Sequence, residues 1–377
     1  MKKSLVAIAA LAATGVFAQS SVTLSGVLDV GTVYRTNVQT GNTKFSVGSG
    51  NNNRLIFSGV EDLGGGLAAT FGAQMRFDPT SGGTESGGAR PLFQGESRVG
   101  LRGAFGQVRL GRGLTALQAP NSVAIDPWVV TTVASSIYAP GYVTDYVAGG
   151  EGRTDGIFYD TPNFGGLSAS LTFSPRKVAT TTTFGKPFTS FAVNYNNGPI
   201  VAIVGYEKNR YGDSLTNIGG NYNLGVAKIY AGFGSVKGGL ATDRAGVTYA
   251  AGAGVTPGYG AAGAFGTTAA YTGGMTKLGQ VNGNIEAGTK TDAFSIGAVA
   301  PFGPAKVLFG YSTYKSNIAT AARDNKLGLG VNYALSKRTS IYSDIASTTR
   351  NNNSVNANEA RNNSRVNAFD LGIAHSF

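Results

Sequence analysis

From residue 22 onward, apolar side chains fall on every second position in short runs, and Gly, Asn, Pro and Asp break the runs. Val22, Leu24, Gly26, Leu28 and Val30 share one face, while Thr23, Ser25, Val27 and Asp29 share the other. Leu55 and Phe57 oppose Arg54 and Ser58 in the same way, and Ala69, Phe71, Ala73, Met75 and Phe77 oppose Thr70, Gly72, Gln74 and Arg76. A period of two is the mark of strands whose two faces meet different surroundings. One face here is apolar; the other is polar, small or cationic. The pattern predicts sixteen strands, at roughly 22–35, 53–62, 67–78, 94–103, 106–113, 154–161, 166–175, 187–196, 199–208, 214–223, 225–236, 290–300, 304–315, 324–334, 338–347 and 366–377.

The connections alternate as well. Tight ones stand at Leu63–Gly66, Gly103–Gly106, Asn163–Gly166, Asn196–Pro199, Asn223–Gly225, Pro301–Pro304 and Leu335–Arg338. Between them lie long polar stretches such as 36–52, 78–91, 113–152 and 347–365. Short turns at one end and long loops at the other describe an up-and-down antiparallel meander. The stretch 237–289 is Gly/Ala-rich and has room for a further hairpin.

An open meander of this size leaves two long unpaired edges, so closure into an all-β barrel is expected. Sixteen strands enclose a lumen too wide for side chains to fill. That fits an outer-membrane barrel, in which apolar residues face lipid and polar residues face water. The last strand agrees: Phe369, Leu371, Ile373 and the terminal Phe377 lie on its apolar side, where an aromatic end suits an interfacial girdle.

The N-terminus supports export. Lys2 and Lys3 precede an apolar stretch from Leu5 to Phe17 and the small-residue step Val16-Phe17-Ala18. This reads as a signal peptide over 1–18, with the barrel over 19–377. Its removal takes two of the chain's +11 charges.

Composition narrows the chemistry. The chain of 377 residues has 57 Gly, no Cys and one His. Glycine at this level disfavours helical bundles, and the missing Cys removes disulfides, thiolate metal sites and thiol nucleophiles. With one His there is little for acid–base or metal chemistry, so no catalytic residue, metal site or cofactor is expected. The cations are scattered over strands, which argues against nucleic-acid binding.

Six stretches carry a family resemblance: SSVTLSGVLDVG (20–31), NRLIFSGVEDLGGGLAATFGAQ (53–74), SRVGLRGAFGQVRLGR (97–112), FYDTPNFGGLSASLTF (158–173), YALSKRTSIYSD (333–344) and FDLGIAHSF (369–377). With these the chain resembles the trimeric general porins of Gram-negative outer membranes, most closely the beta-proteobacterial group. The resemblance implies a homotrimer in the outer membrane, with short periplasmic turns, long external loops and a third loop folded into the barrel. It also implies outer-membrane lipid, lipopolysaccharide and the barrel-assembly machinery as partners, the last reading Phe369, Leu371, Ile373 and Phe377. The channel is then a passive path for small anions and hydrophilic solutes.

In such porins an arginine cluster on the wall faces the third loop, whose counterpart here is 113–152. Arg54 and Arg98 match two wall positions and have lumen parity, and Arg76 adds a third lumen cation by parity alone. Arg153 stands five residues before the matching position, which is Phe158 here, and is a candidate to reach the pore from the loop end. Two readings of Asp126 stand: it lines the constriction opposite the arginines, or it caps a turn before Pro127. Arg112 breaks parity and by resemblance braces a subunit contact. Arg102 and Arg109 sit near the periplasmic mouth.

Porin selectivity arises from pore radius and the sign of the charges at its narrowest part. The arginines therefore predict a preference for anions. A substrate-specific channel with a saturable site is the alternative within transport. An outer-membrane barrel enzyme lacks a nucleophile–base pair, because His375 has outward parity. An adhesin or purely structural barrel leaves a cationic lumen without a purpose.

Overall fold

A computed structural model describes residues 21–36, 45–85, 88, 90–129, 131–135, 152–175, 178–179, 182–183, 186–209, 212–238, 280–281, 284–285, 290–316, 323–351 and 364–377. The expected signal peptide lies outside these residues, as does most of 237–289.

The alternating runs form sixteen barrel strands. They are β1 (Ser21–Arg35), β2 in two pieces (Phe45–Gly48 and Arg54–Gly64), β3 (Leu67–Arg76), β4 (Glu96–Gly103), β5 (Gly106–Leu114), β6 (Arg153–Asp160), β7 (Leu167–Ser174) and β8 (Phe188–Asn197). They continue as β9 (Ile200–Lys208), β10 (Ser214–Asn223), β11 (Lys228–Lys237), β12 (Lys290–Phe302), β13 (Ala305–Ser316), β14 (Arg323–Ala334), β15 (Thr339–Asn351) and β16 (Ser364–Ser376). Each pairs antiparallel with its neighbours in sequence. The seam closes where β1 pairs with β16, from Val27↔Ser376 to Arg35↔Ala368, while its first half pairs with β2, from Ser21↔Val60 to Val27↔Arg54. The terminal residue joins the ladder: Gly26 N donates to Phe377 O at 3.0 Å and Phe377 N donates to Gly26 O at 3.1 Å. A Cβ on Gly26 would sit 2.5 Å from the Phe377 ring, so glycine is required where the aromatic packs over the seam.

Parity decides what each face meets. Every strand exposes a large apolar side chain on the outside, from Leu28 in β1, Phe57 in β2 and Phe71 in β3 round to Ile345 in β15 and Leu371 in β16. In a water-soluble protein so continuous an apolar surface would be a liability; on a closed barrel it is a lipid-facing belt. Among the described residues no helix is long and apolar enough to cross a membrane, so the strands are what could span one.

The barrel's apolar core is inside it, beneath the segment that follows β5. There the chain forms one short helix, α1 (Gln118–Ile125), which the alternation did not signal. Pro120 is tolerated in its first turn, where backbone N–H groups have no intrahelical partner, and Pro127 disfavours helical geometry at Asp126, so the helix stops. Leu117, Ala124 and Ile125 pack on Ala192, Ile203, Leu215, Val236 and Ala293 of β8 to β12. Trp128, Val133 and Ala134 pack on Leu308, Tyr342, Ala346 and Val33 of β13, β15 and β1. The segment thus runs along the inner wall across successive strands.

Glycines on the lumen face give it a seat. Leu117 lies against Gly205, Ile125 against Gly219, Pro127 against Gly297 and Ala134 against Gly328. A Cβ at Gly310 would stand 2.7 Å from Trp128 Cζ3, closer than packed atoms approach. Gly310→Leu should therefore lift the segment, since overpacking of this kind costs about 1–3 kcal/mol. The expected outcome is a folded barrel in which chymotrypsin cuts after Trp128, a bond that should resist cleavage in the parent protein. Equal resistance in both proteins would mean that this glycine is not the seat.

Candidate pore-lining site

Polar anchors complete the docking of the third loop. Ala116 N donates to Thr172 Oγ1 at 2.9 Å, Leu117 N to Ser190 Oγ at 3.1 Å, and the Thr115 hydroxyl to Glu207. Asn221 Nδ2 donates to Ala124 O at 3.1 Å. At the far end Trp128 Nε1 donates to Asp344 Oδ1 at 2.7 Å, Val133 N to Asp370 Oδ2 at 2.9 Å, and Lys326 Nζ to Ser135 O. Asp370 Oδ1 also accepts Asp344 N at 3.0 Å. The break in β2 joins in: Asp29 Oδ1 accepts Gly50 N at 2.7 Å and the Tyr342 hydroxyl at 2.8 Å, while Thr132 N donates to Gly50 O at 2.8 Å. Four lumen-parity carboxylates, Asp29, Glu207, Asp344 and Asp370, are thereby buried beneath or beside the loop. Buried carboxylates persist only when donors satisfy them, and here loop N–H and O–H groups supply several of those donors.

The described residues of the loop lie against β7 to β16 and β1, touch β2 at its break, and leave the wall of β3 to β5 and the Arg54 end of β2 uncovered. The arginines stand on that wall. Arg54 and Arg76 are direct cross-strand partners on the lumen face, and Arg98 lies in register with Gly72 and Gly111. Arg76, Arg98 and Arg109 are each matched by a carboxylate, which the alternation alone could not show. Arg76 is buried in an ion pair with Glu85 at 3.0 Å, and Glu85 also accepts Gln94 Nε2 at 2.6 Å. Arg98 is bound to Glu96 through Nε at 2.9 Å and NH2 at 2.8 Å, over the Phe158 ring with 4.9 Å to its centroid. Arg109 pairs with Asp160, whose other oxygen accepts Ser170 Oγ at 2.7 Å. Arg54 donates to Asn52 O at 3.0 Å and, among the described residues, pairs with no carboxylate.

Three expectations differ from the structure. Arg153 pairs in register with Leu114, which places it on the outward set rather than in the pore, and its Nε donates to Gly95 O at 2.8 Å. Asp126 is only 1% exposed and accepts Val129 N at 3.1 Å through its backbone oxygen, so it opens a turn under the loop instead of facing the passage. Arg76, at 4% exposure, braces the wall and the second loop more than it meets solute. Arg112 is outward by register, opposite Ser97 and Asp155, with Nε on Gln94 O at 2.9 Å. Arg102 is exposed beside the β4–β5 turn. His375 faces outward, stacked on Phe377 with ring centroids 6.4 Å apart.

Some lumen cations escaped the sequence reading. Lys228 and Lys306 line a cavity of about 530 Å3 under the loop, together with Trp128, Tyr230, Asn332 and Tyr342. Parity was the available signal, since Lys228 alternates with Ile229 and Lys306 with Val307. Among the described residues no group of His, Cys, Asp or Glu is placed to hold a metal ion.

Comparison with known proteins agrees with this architecture. A family model described as Gram-negative porin matches residues 4–354. Outer membrane porin protein 32 of Delftia acidovorans is 30% identical over 360 residues, covering 92% of this chain and 89% of the relative. The major outer membrane protein P.IB of Neisseria sicca is 36% identical over 183 residues, 47% of this chain and 48% of the relative. An anion-selective porin from Comamonas acidovorans has the same fold, with a TM-score of 0.72 and 24% identity over 95% of this chain and 100% of that one. A closed sixteen-stranded barrel with an apolar exterior, a loop seated inside it and a charged inner wall is therefore accompanied by relatives of one kind, and the chain belongs to the Gram-negative porin family of the outer membrane.

Proposed function

We propose that the protein is a water-filled channel through which small hydrophilic solutes and ions cross the outer membrane passively, with a preference for anions. The observation that carries the preference is the unequal exposure of lumen charges. Asp29, Glu207, Asp344 and Asp370 are each at most 2% exposed, whereas Arg54, Lys228 and Lys306 keep access to the passage. Charges buried under the loop are spent on hydrogen bonds there; on the wall beside it Glu96 and Asp160 stay in reach of solute but are offset by their ion pairs to Arg98 and Arg109, so the excess that remains is cationic. In a narrow pore with low-dielectric walls even a small excess of one sign raises the local concentration of the opposite ion. The relative of the same fold from Comamonas acidovorans is described as anion-selective, which supports this reading.

The test is the zero-current potential of the purified channel across a KCl gradient. Changing Arg54 and Arg98 together to Ser should move it toward cation preference, since one change removes an open cation and the other frees Glu96. Lys306→Ser should move it in the same sense. The shifts should shrink with salt, because the screening length falls from about 30 Å at 0.01 M to about 3 Å at 1 M. Changing Lys208 and Arg365, which have outward parity, should leave the potential in place. A parent channel that prefers cations, or equal shifts from the outer-face pair, would defeat the mechanism. A saturable solute site is the second reading, carried by the cavity around Lys228 and Lys306. It requires flux that levels off with concentration, where simple diffusion stays linear.

In this proposal the short turns face the periplasm and the long loops face outward, and three copies assemble. The outward guanidinium groups of Arg112 and Arg153, which hold the carbonyls of Gln94 and Gly95, suit a subunit contact better than hydrocarbon. The terminal strand serves as the assembly signal: Phe369, Leu371, Ile373 and Phe377 form an exposed outward row, and Phe377 closes the seam. Phe377→Ser should reduce folded, heat-modifiable trimer in outer membranes several-fold; an undiminished yield would remove the signal from this strand.

A further inference from the structure

The cavity under the third loop joins an apolar floor to two cations. Val299, Pro301 and Leu308 have lumen parity and form the floor, with Val299 in register with Leu308 and Pro301 with Lys306. Lys228 is in register with Val299 from the other side, so the two lysines flank β12 on its lumen face. Strands two apart lie about 9–10 Å from each other across a sheet, and the flexible four-carbon stems let both ammonium groups meet on one anion between them. Among the described residues neither lysine forms an ion pair. The acids at the far edge, Asp29 and Asp344, are each 2% exposed and are held by Gly50 N, the Tyr342 hydroxyl and Trp128 Nε1. The charge open to a ligand here is therefore positive. The loop side is apolar and strained: Val129 lines the cavity with a φ of 54° and is 45% exposed. Branched side chains of this kind rarely take that conformation, and such strain collects at ligand clamps.

We infer that this cavity binds an organic carboxylate with a ring-bearing hydrocarbon body, of the size of a phenylpropenoate. Each part of the ligand follows from a part of the site. Lys228 and Lys306 take the carboxylate through charge-assisted hydrogen bonds. Val129 and Pro301 are exposed and Pro127 and Val299 half-buried, so apolar surface faces water until a hydrocarbon body covers it. A rigid ring covers that surface with less loss of conformational freedom than a flexible chain. The volume of about 530 Å3 lies in the range that holds drug-sized ligands, and an inorganic ion or a two-carbon acid would leave most of it empty. A sugar phosphate would satisfy the lysines but would set its hydroxyl groups against the apolar floor, where they lose hydrogen bonds to water. The inference rests on a saturable solute site in this cavity and names its ligand; it does not depend on Arg54 or Arg98.

The test is the current through the purified full-length channel in a planar bilayer, with trans-cinnamate as probe and acetate, cinnamyl alcohol and glucose 6-phosphate as comparisons. Cinnamate should lower the current saturably, and Lys228→Gln/Lys306→Gln should raise its half-blocking concentration about fivefold or more. Val129→Asn should raise it about twofold or more, since Asn accepts a positive φ but removes the apolar contact. Acetate and cinnamyl alcohol should each need about tenfold more to reach the same block, because one lacks the body and the other the charge. If the double variant does not insert, Lys306→Gln, at an exposed position, should still raise the half-blocking concentration about twofold. Equal block of parent and lysine variants overturns the proposal, as does acetate or the alcohol matching cinnamate. Tighter block by glucose 6-phosphate overturns it in favour of a sugar-phosphate site and leaves the saturable site standing. Absence of saturable block by every probe removes the saturable site as well, while the zero-current potential in a KCl gradient tests the anion preference separately.

Discussion

A strand that faces hydrocarbon has no water to satisfy its backbone, so every N–H and C=O of the wall must find a partner within the sheet. The ladder between β1 and β16 meets that constraint, and the rest of the molecule follows from it. Closure fixes which parity faces lipid, and sixteen strands fix an interior too wide to be packed by wall side chains alone. The opening is narrowed by chain brought in from one end. What a water-soluble protein places at its centre is here reduced to the contact between that inserted segment and one side of the wall.

That contact explains several features that otherwise look unrelated. Glycine is abundant partly because Gly205, Gly219, Gly297, Gly310 and Gly328 leave the wall bare enough for Leu117, Ile125, Pro127, Trp128 and Ala134 to lie against it. Glu207, Asp344 and Asp370 are turned into acceptors for loop donors and removed from the passage. The uncovered wall keeps its arginines, yet Glu85, Glu96 and Asp160 hold three of them in place. The charge a solute meets is thus a small remainder, and burial decides its sign more than composition does.

Much of the barrel was legible in the sequence, because a period of two reports facing directly and the short turns punctuate it. Arg54, Arg76 and Arg98 were correctly given lumen parity for that reason. Their carboxylate partners were not legible, since Arg76 meets Glu85 only through the fold of the second loop. Arg153 was misplaced because its facing depends on carrying the β5–β6 register to Leu114, beyond the run that showed alternation. Helix α1 is eight residues with a proline in its first turn, too short for a helical period to stand out. The lumen glycines resembled strand-weakening residues until the loop's course was known.

The central claim is that the third loop is seated on the glycine-lined wall opposite the arginines, and the chain carries its own probe of it. Trp128 is the sole tryptophan, 5% exposed, bonded to Asp344 and resting on Gly310. Acrylamide quenching of the intrinsic fluorescence of the folded protein therefore reports on the seat directly. The account predicts blue-shifted emission that acrylamide barely quenches until the barrel is unfolded. Red-shifted emission quenched as freely in the folded barrel as in the unfolded chain would contradict it.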